Sequence, residues 1–415
     1  MKSADSMPGY ASRRMGLFAE SAIRDMSQLA QATGAVNLAQ GSPDFPAPAT
    51  VKRAAAAAIR EDHNQYEMTM GSRELREAIA AKARRFNGIT ADPDEEVTVT
   101  CGSTEAITAA MIAFTDPGDG VIVPEPFYES YVPATVLAGA RAVHLRLHEP
   151  GFGLDEEALK EAFDQRPKVI LLNTPNNPSG RVLSERELRL VGDLCRDRGV
   201  VAITDEIYEQ IIYDGNRHVS LASLGGMRER TVTVSGLSKT FSVTGWRLGY
   251  AVAEKSLTSA LRTVHDYLTV CAPTPLQRAA VAAFDLPASY YRDLAASYDR
   301  KRLFLLESLE ALGFSCFRPE GAYYVFADFG DISPLDDYEF AKWLAVDVGV
   351  AAVPGSSFYS NRGAGRTKLR FTFTKRDETL EEAVRRMKEG LRPGRPGGRG
   401  GGRTPRRPRR TSRGS

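Results

Sequence analysis

The stretch Thr231-Val-Thr-Val-Ser-Gly-Leu-Ser-Lys239-Thr-Phe-Ser-Val-Thr-Gly-Trp-Arg247-Leu-Gly-Tyr250 decides how the fold of this chain is interpreted. Its β-branched start predicts a short strand, and the small residues after it present Lys239 on a turn. A lysine amine held away from bulk water can form a Schiff base with an aldehyde, and a fixed cation such as Arg247 can hold a phosphate. The alternative is a surface lysine in a loop, which the hydroxyl donors Ser235 and Ser238 argue against.

Short β-rich segments alternate with helical patterns through the middle of the chain. The predicted strands are Glu96–Thr100, Val121–Pro124, Val169–Asn173, Val200–Thr204, Thr231–Ser235 and Leu248–Ala253. One helical pattern covers Ser72–Phe86, and another begins at Ser184, which forms a capping-box signature with Glu187. This alternation predicts an α/β fold with a mostly parallel sheet, and such sheets bind ligands beyond the carboxyl ends of their strands.

After Pro275 the pattern changes to one that suits a smaller α+β domain. We predict a helix over Tyr290–Leu312, a strand within Gly321–Phe326, a helix around Phe340–Val346 and a strand over Lys368–Phe373. Residues 391–415 consist almost entirely of Gly, Pro, Arg, Ser and Thr. Such a composition cannot bury a core, so we expect this tail to be disordered.

Length and composition restrict the classes of protein that are possible. The 415 residues suffice for a large domain and a smaller one, and 42% hydrophobic with 26% charged residues is ordinary for a soluble globular protein. The four widely spaced cysteines form no C-x-x-C pair, so we expect neither a disulfide framework nor a zinc site. The start lacks the apolar core of a signal peptide, and no stretch is long and apolar enough to span a membrane. A cytoplasmic protein is therefore expected.

The net charge of +2 has two opposing sources. Residues 391–415 hold nine arginines and no acidic residue, so residues 1–390 carry 45 basic against 52 acidic groups, a net charge of −7. The body of the protein is mildly acidic, which gives no indication of a nucleic-acid partner. The tail by itself could hold phosphates non-specifically, although a passive, solvated end is the more favoured interpretation.

Several separated motifs accompany the lysine stretch. They are Leu38-Ala-Gln-Gly41, Thr100-Cys-Gly102-Ser103-Thr104, Leu172-Asn-Thr-Pro-Asn-Asn177-Pro-Ser-Gly180, Val200-Val-Ala-Ile-Thr-Asp205-Glu-Ile-Tyr208 and Lys368-Leu-Arg370-Phe. In this order the chain, from about Asn37 to about Lys388, resembles the class I and II aminotransferases of the aspartate-aminotransferase superfamily. The resemblance implies the pyridoxal phosphate (PLP) transferase fold type I, with a large domain built on a mostly parallel seven-stranded sheet and a smaller α+β domain. It suggests an N-terminal arm (1–48) joining the small domain, a large domain (49–285), a small domain (286–390) and a tail (391–415).

The resemblance assigns roles around the PLP ring. Lys239 carries the cofactor, and Asp205 keeps the pyridine nitrogen protonated so that the ring can draw electrons from the substrate. Tyr208 and Asn177 contact the phenolic oxygen, and Tyr128 stacks on the ring. The alternatives are an aspartate that caps the next helix, a core tyrosine at position 208, and an aromatic at position 128 that is only part of the core or has been confused with its neighbour Phe127.

A second set of residues is implied for the phosphate and the substrate. The phosphate is expected at a helix N-terminus formed by Gly102, Ser103 and Thr104, with Arg247 as cation and Ser238 or Ser235 as hydroxyl donor. Some relatives carry serine where this chain has Gly236, which leaves the hydroxyl contact open. Arg370 would bind the substrate carboxylate through its planar fork, and Gly41 would add a backbone N–H.

Tyr66 matches a tyrosine that reaches the phosphate of the neighbouring subunit, so the resemblance also implies a homodimer with shared active sites. The expected function is transfer of an amino group from an L-amino acid to a 2-oxo acid by a ping-pong mechanism. A PLP-dependent lyase or oxidase would use the same residues, and a ligand-sensing regulator with a nucleic-acid-binding tail is a more distant alternative. Thr263–Leu276 contains no arginine that would bind a second carboxylate, which favours neutral, aromatic or sulfur-containing donors over aspartate.

Overall fold

The computed structural model describes residues 10–18 and 20–391. Its helices are α1 (Ala22–Thr33), α2 (Ala49–Arg60), α3 (Arg73–Lys82), α4 (Ser103–Phe114), α5 (Tyr131–Leu137), α6 (Glu156–Asp164), α7 (Glu185–Arg198), α8 (Lys255–Thr269), α9 (Thr274–Phe284), α10 (Ala288–Ala311), α11 (Asp337–Trp343) and α12 (Asp377–Gly390). Its strands are β1 (Val36–Asn37), β2 (Val97–Thr100), β3 (Gly120–Glu125), β4 (Arg141–Arg146), β5 (Pro167–Asn173), β6 (Val201–Asp205), β7 (Thr231–Gly236), β8 (Gly249–Val252), β9 (Ser315–Cys316), β10 (Tyr324–Asp328), β11 (Val350–Ala351), β12 (Val353–Pro354) and β13 (Lys368–Thr372). The predicted tail, from residue 392 onwards, lies outside the described residues.

A seven-stranded sheet forms the centre of the larger part, in the order β2-β8-β7-β6-β5-β3-β4. Every neighbouring pair is parallel except the two pairs made by β8, which runs antiparallel to β2 and β7. The prediction of an α/β fold with a mostly parallel sheet is confirmed. All six predicted strands are present, with ends that differ by one or two residues.

The sequence analysis missed the seventh strand, β4. Its side chains alternate between exposed and more buried positions, with arginine at both ends and His144 on the exposed face. An edge strand has one neighbour and tolerates charged side chains, so it lacks the continuous apolar run that revealed the central strands. It was found only through its parallel pairing with β3.

Each face of the sheet is covered by helices. Alternate residues of the strands point to opposite faces, so Val169 and Leu171 pack with α4, α5 and α8, whereas Ile170 and Leu172 pack with α6 and α7. Helix α7 begins with the predicted capping box, because the Ser184 side chain accepts from the Glu187 N–H while Glu187 bonds back to the Ser184 N–H. Different helices therefore cover the two faces of the sheet, and the position of a side chain in its strand decides on which face it lies.

The smaller part is built on a second sheet and the two ends of the chain. Strands β12-β13-β10-β9 form an antiparallel sheet, and β1 pairs in parallel with β11, matching Val36 with Val350. Apolar residues of α1 share one core with α10, α11 and α12. This arrangement is compatible with the predicted arm, although the domain boundaries stay a prediction.

The turns that follow β2, β3, β5, β6 and β7 open toward this smaller part, at the carboxyl ends of the parallel strands. Within the described residues, no helix is both long enough and apolar enough to cross a membrane.

Candidate active site

A cavity of about 390 Å³ lies at the carboxyl ends of the strands, between the central sheet and the smaller part. The sequence-predicted residues that line it are Gly41, Ser103, Thr104, Tyr128, Asn177, Asp205, Tyr208, Ser238, Lys239, Arg247 and Arg370. They come from seven separate segments of the chain, and the fold brings them together around one cavity. Of the remaining predicted residues, Gly102 borders the cavity through Arg247, whereas Ser235 and Tyr66 lie elsewhere.

Lys239 follows β7, and its amine lies in the cavity wall close to two aromatic rings. Its Nζ is 5.8 Å from the ring centroids of both Tyr208 and Tyr323. Within the described part of the chain no carboxylate lies in ion-pair distance of this amine. Burial lowers the pKa of Lys239, because surrounding protein disfavours the charged ammonium. A lysine in this condition is suited to act as a nucleophile and a base.

Asp205 ends β6, and its carboxylate is only 5% exposed. Oδ2 accepts a hydrogen bond from the Tyr131 hydroxyl at 2.7 Å, and Oδ1 accepts from the Ile207 N–H at 3.2 Å. Burial raises the pKa of Asp205 to about 6, while the hydrogen bond from Tyr131 opposes that shift. A buried carboxylate without a cationic partner in contact is a suitable acceptor for a protonated ring nitrogen.

The proposed phosphate side is formed by the start of α4 and by Arg247. Ser103 and Thr104 begin the helix, and the guanidinium of Arg247 lies against Gly102. Gly102 has φ +85°, and a Cβ at this position would come within 2.6 Å of Nη2 of Arg247. Glycine is therefore required here on two grounds, since the backbone is left-handed and the cation occupies the space of a side chain.

Ser235 is directed away from the cavity. Its Oγ donates to Oε1 of Glu209 at 2.7 Å on the opposite face of the sheet. In β7 it is Val234 that packs on the α4 side, so alternation directs Ser235 to the other side. The prediction that Ser235 contacts the cofactor is thus not supported, and Ser238 is the serine of this stretch that lines the cavity. The place of the relatives' serine is closed as well, because a Cβ on Gly236 would lie 2.8 Å from the Leu248 carbonyl oxygen.

Arg370 is a buried cation, 1% exposed, that no carboxylate in the described residues neutralises. Nη1 donates to Oδ1 of Asn177 at 2.8 Å, and Nη2 donates to the Ala39 carbonyl at 2.6 Å. The guanidinium carbon lies 4.2 Å from the ring centroid of Tyr324, while Nε has no partner. An arginine oriented by neutral acceptors keeps its charge available for a carboxylate ligand.

Several lining residues were not assigned by the sequence analysis. Tyr131 holds Asp205, Asn173 accepts the Asn177 N–H at 2.8 Å, and the hydroxyl of Tyr324 lies 3.1 Å from that of Tyr208. Glu129 adds a carboxylate to the wall. Glu129 and Tyr131 lie within three residues of Tyr128 in the sequence, so proximity to a predicted residue was a usable signal. The positions of Asn173 and Tyr324 needed the fold.

Tyr66 does not enter this cavity. Its side chain is 85% exposed. The segment that carries it is tied to the end of α8 and the start of α9, because Thr69 donates to Asp266 and Thr274 donates to the Gln65 carbonyl. Tyr66 therefore does not line the cavity of the chain that carries it.

These residues fit PLP. The amine of Lys239, the buried carboxylate of Asp205, the helix N-terminus beside Arg247 and the buried Arg370 supply one partner for each charged or reactive group of the cofactor and for a substrate carboxylate.

The comparison with known proteins agrees with this geometry. Residues 33–387 match the family model described as aminotransferase class I and II. The chain is 40% identical over 385 residues to a probable N-succinyldiaminopimelate aminotransferase of Mycobacterium tuberculosis, covering 90% of this chain and 97% of that one. It is 36% identical to the methionine aminotransferase of Escherichia coli, covering 88% and 94%. A solved structure of the M. tuberculosis N-succinyldiaminopimelate aminotransferase superimposes with a TM-score of 0.89, covering 91% of this chain and 99% of the other.

The chain belongs to the class I and II aminotransferases. It is a PLP-dependent transaminase that moves an amino group from an amino acid to a 2-oxo acid, and the predicted fold, cofactor and reaction are confirmed.

Proposed function

We propose that Lys239 is the residue that carries PLP and moves the substrate's α-proton. When bound, PLP supplies an electron sink that makes the α-carbon of the amino donor acidic. Nζ of Lys239 would take the proton from the α-carbon of the donor as a base and then give it up again as an acid. The observation that carries this assignment is the burial of an amine with a lowered pKa and no ion-pair partner in the described chain.

Asp205 holds a proton on the pyridine nitrogen. Its carboxylate is anchored by the Tyr131 hydroxyl and the Ile207 N–H, so it keeps one orientation while the ring is bound. Tyr208, Asn177 and Tyr128 line the same cavity; the first two would hold the phenolic oxygen of the cofactor and Tyr128 would cover its ring. The phosphate would be held by Ser103, Thr104, Ser238 and Arg247. Because Gly102 has no side chain, the guanidinium of Arg247 can lie against the start of α4, where the phosphate would bind.

Arg370 binds the α-carboxylate of the donor and of the acceptor. Its two terminal nitrogens are already oriented by Asn177 and Ala39, so binding costs little ordering of the side chain. Gly41 also lines the cavity, next to the Tyr324 ring that covers the Arg370 guanidinium, and its backbone N–H is proposed to meet the same carboxylate.

The donor that this cavity favours has a long, uncharged or weakly polar side chain. Once Lys239, Asp205, Arg247 and Arg370 are assigned, Glu129 is the one further charged residue that residues 10–18 and 20–391 contribute to the cavity wall. It accepts a hydrogen bond from Ser21 at 2.6 Å. A carboxylate at this place repels the side chain of aspartate. This agrees with the absence of arginine from Thr263–Leu276.

Room for a long donor is provided by a second cavity of about 590 Å³ that shares Ile23, Gln40, Tyr128 and Glu129 with the first. It is bounded mainly by polar residues of α1, with Arg24 among them. Methionine, the substrate named for one relative, has an uncharged side chain that is longer than that of aspartate. N-succinyldiaminopimelate, named for another relative, is longer still but carries further carboxylates that Glu129 would repel. Long, uncharged donors such as methionine are therefore the proposed substrates.

Initial rates with methionine, phenylalanine, N-succinyldiaminopimelate and aspartate, each with 2-oxoglutarate, test this donor preference. We expect kcat/KM for aspartate to be at least about tenfold below that for the best neutral donor. Glu129→Gln should raise the aspartate value by about fivefold and leave methionine unchanged. The control is Glu157→Gln, an exposed carboxylate on α6. Aspartate as the best donor, unaffected by Glu129→Gln, would disprove the preference while leaving transamination intact.

The active form is a homodimer in this proposal. Tyr66, Met68, Tyr267 and Leu268 are exposed and lie on two segments that are hydrogen-bonded to each other, which gives an apolar patch of the type that monomers rarely expose. Tyr66 would then reach the partner's phosphate, and a solution mass of twice 45.3 kDa is expected.

A further inference from the structure

A histidine of α8 is buried next to the phosphate side of the active site. His265 is 0% exposed. Its Nδ1 lies 3.0 and 3.1 Å from the two carboxylate oxygens of Glu105, and its Nε2 lies 2.9 Å from the Thr69 carbonyl oxygen. The Thr269 hydroxyl, 3.2 Å from Nδ1, can accept a share of the same hydrogen bond. None of these atoms lines the active-site cavity.

Both ring nitrogens of His265 face oxygens that accept hydrogen bonds. A neutral imidazole has one N–H, so either tautomer would direct a lone pair of electrons at the lone pairs of an oxygen. The doubly protonated imidazolium donates to both oxygens and leaves neither unsatisfied. The geometry therefore selects the charged form of His265.

The electrostatic surroundings support the same state. Burial disfavours the charge and is the largest single influence, but the hydrogen bond to Glu105, the negative charge of Glu105 and the hydrogen bond to Thr69 together outweigh it. They raise the pKa of His265 above its ordinary value. The titratable and charged groups near it are Glu105 on α4, Asp266 on its own helix, the thiols of Cys101 and Cys271 on the adjoining loops, and Arg247 beyond Cys101. Glu105 is the one that touches the ring.

Glu105 occupies the first turn of α4, directly after Ser103 and Thr104, and it also accepts the Cys101 N–H at 3.1 Å. An uncompensated carboxylate at this place would oppose a phosphate dianion at the start of the helix. The positive charge of the His265 imidazolium neutralises the charge of the Glu105 carboxylate. Through Nε2 the same ring fixes Thr69, three residues from Tyr66.

We propose that His265, as an imidazolium, is a positioning residue for the cofactor phosphate: it cancels the charge of Glu105 and ties the segment that bears Tyr66 to helix α4. This inference rests on the proposed phosphate site at Ser103, Thr104 and Arg247. His265 itself touches neither cofactor nor substrate.

The test compares the binding of PLP and of pyridoxal, which lacks the phosphate, to the full-length protein freed of cofactor. In His265→Gln we expect the dissociation constant for PLP to rise about tenfold, because a buried negative charge is left near the phosphate, while that for pyridoxal stays within about twofold. Adding Glu105→Gln to this variant removes the charge and should restore PLP binding to within about threefold of the wild type. Circular dichroism and the melting temperature of each apoprotein confirm that the variants are folded.

The pH dependence supplies a second readout. Because the His265 pKa is raised, its proton is present below that pKa and lost as pH rises through it. The tighter binding of PLP by the wild type than by His265→Gln should therefore disappear at alkaline pH. The affinity of the doubly substituted protein for PLP should not show this change.

Three outcomes overturn the inference: PLP binding unchanged in His265→Gln, equal weakening for PLP and pyridoxal, or no recovery on adding Glu105→Gln. A wild type that binds PLP no more tightly than pyridoxal would instead contradict the proposed phosphate site itself, so the two failures are distinguishable.

Discussion

Two lysines lie on opposite faces of the central sheet near Asp205, Lys82 buried and Lys239 half-buried in the cavity wall, and their pKa values are shifted in opposite directions. Lys82, 6% exposed, contacts Glu209 and donates to Oδ1 of Asn87 at 2.8 Å. Burial works against its charge, but Glu209 outweighs that effect and raises the pKa of Lys82. Lys239, on the cavity side, has a lowered pKa, because there burial acts without a carboxylate in contact.

The neighbouring acids show the same contrast. Asp205 and Glu206 are consecutive, so alternation along β6 directs them to opposite faces. Burial raises the pKa of Asp205, whereas Glu209, beside Lys82, has a lowered pKa despite its burial because Lys82 is charged. Glu206 bonds to His218 and Ser220 and is fully enclosed.

Burial alone therefore does not make a residue reactive. On the Lys82 side the buried charges compensate one another, and the side chains have fixed protonation states. On the Lys239 side, Lys239 and Asp205 lie in the cavity wall with no oppositely charged side chain of the described residues in ion-pair contact. Perturbed residues of that kind are typical of active sites.

Lys239→Ala gives the largest expected effect. We expect kcat to fall on the order of 10⁴-fold or more, because the base for the α-proton is lost, while the unfolding free energy changes by no more than about 1 kcal/mol because the amine has no ion-pair partner. Steady-state rates and urea unfolding measure the two quantities, and Lys160→Ala, at an exposed position on α6, is the control. Near-normal turnover in Lys239→Ala would refute the assigned role.

Lys82→Met should have the reverse profile. Its removal leaves Glu209 buried and uncompensated, which should lower the unfolding free energy by about 3–5 kcal/mol while kcat per folded active site changes little. Urea unfolding is the measurement. Adding Glu209→Gln should recover much of the loss, since no unpaired charge then remains. A loss of turnover in fully folded Lys82→Met, without a loss of stability, would contradict the division between the two faces.

Asp205→Asn is expected to have the smallest of these effects, and it tests the direction in which the unfolding free energy changes with pH. In the apoprotein the pKa of Asp205 is about 6 against 3.8 for a free aspartate, so the folded state holds its proton to higher pH than the unfolded state does. Ionised Asp205 should therefore destabilise the apoprotein, by up to about 3 kcal/mol as pH rises from 4 to above 6. Asp205→Asn should remove this dependence, so its stability relative to wild type should increase over that range. A difference that is constant with pH would show that Asp205 titrates normally.

Much of the site was predictable from local sequence. Lys239, Asp205, Asn177 and the start of α4 each follow a strand, and the turn after a parallel strand always opens at the same edge of a sheet. Those positions were predicted together with the strands. Ser235 shows where this reasoning ends, because a residue one place along a strand faces the other side.

The sequence by itself determined six of the seven strands of the central sheet and the cap at Ser184. It also determined the presence of a lysine, an aspartate and two arginines at or near strand ends, since these features depend on residues a few positions apart. The tertiary structure decided which charges remain without partners. Arg370 meets Asn177 across 193 residues, Lys82 meets Glu209 across 127, and His265 meets Glu105 across 160. Such pairings depend on strand order and helix packing, and they decide which buried charges are compensated and in which direction the pKa values of Lys82, Glu209 and His265 move.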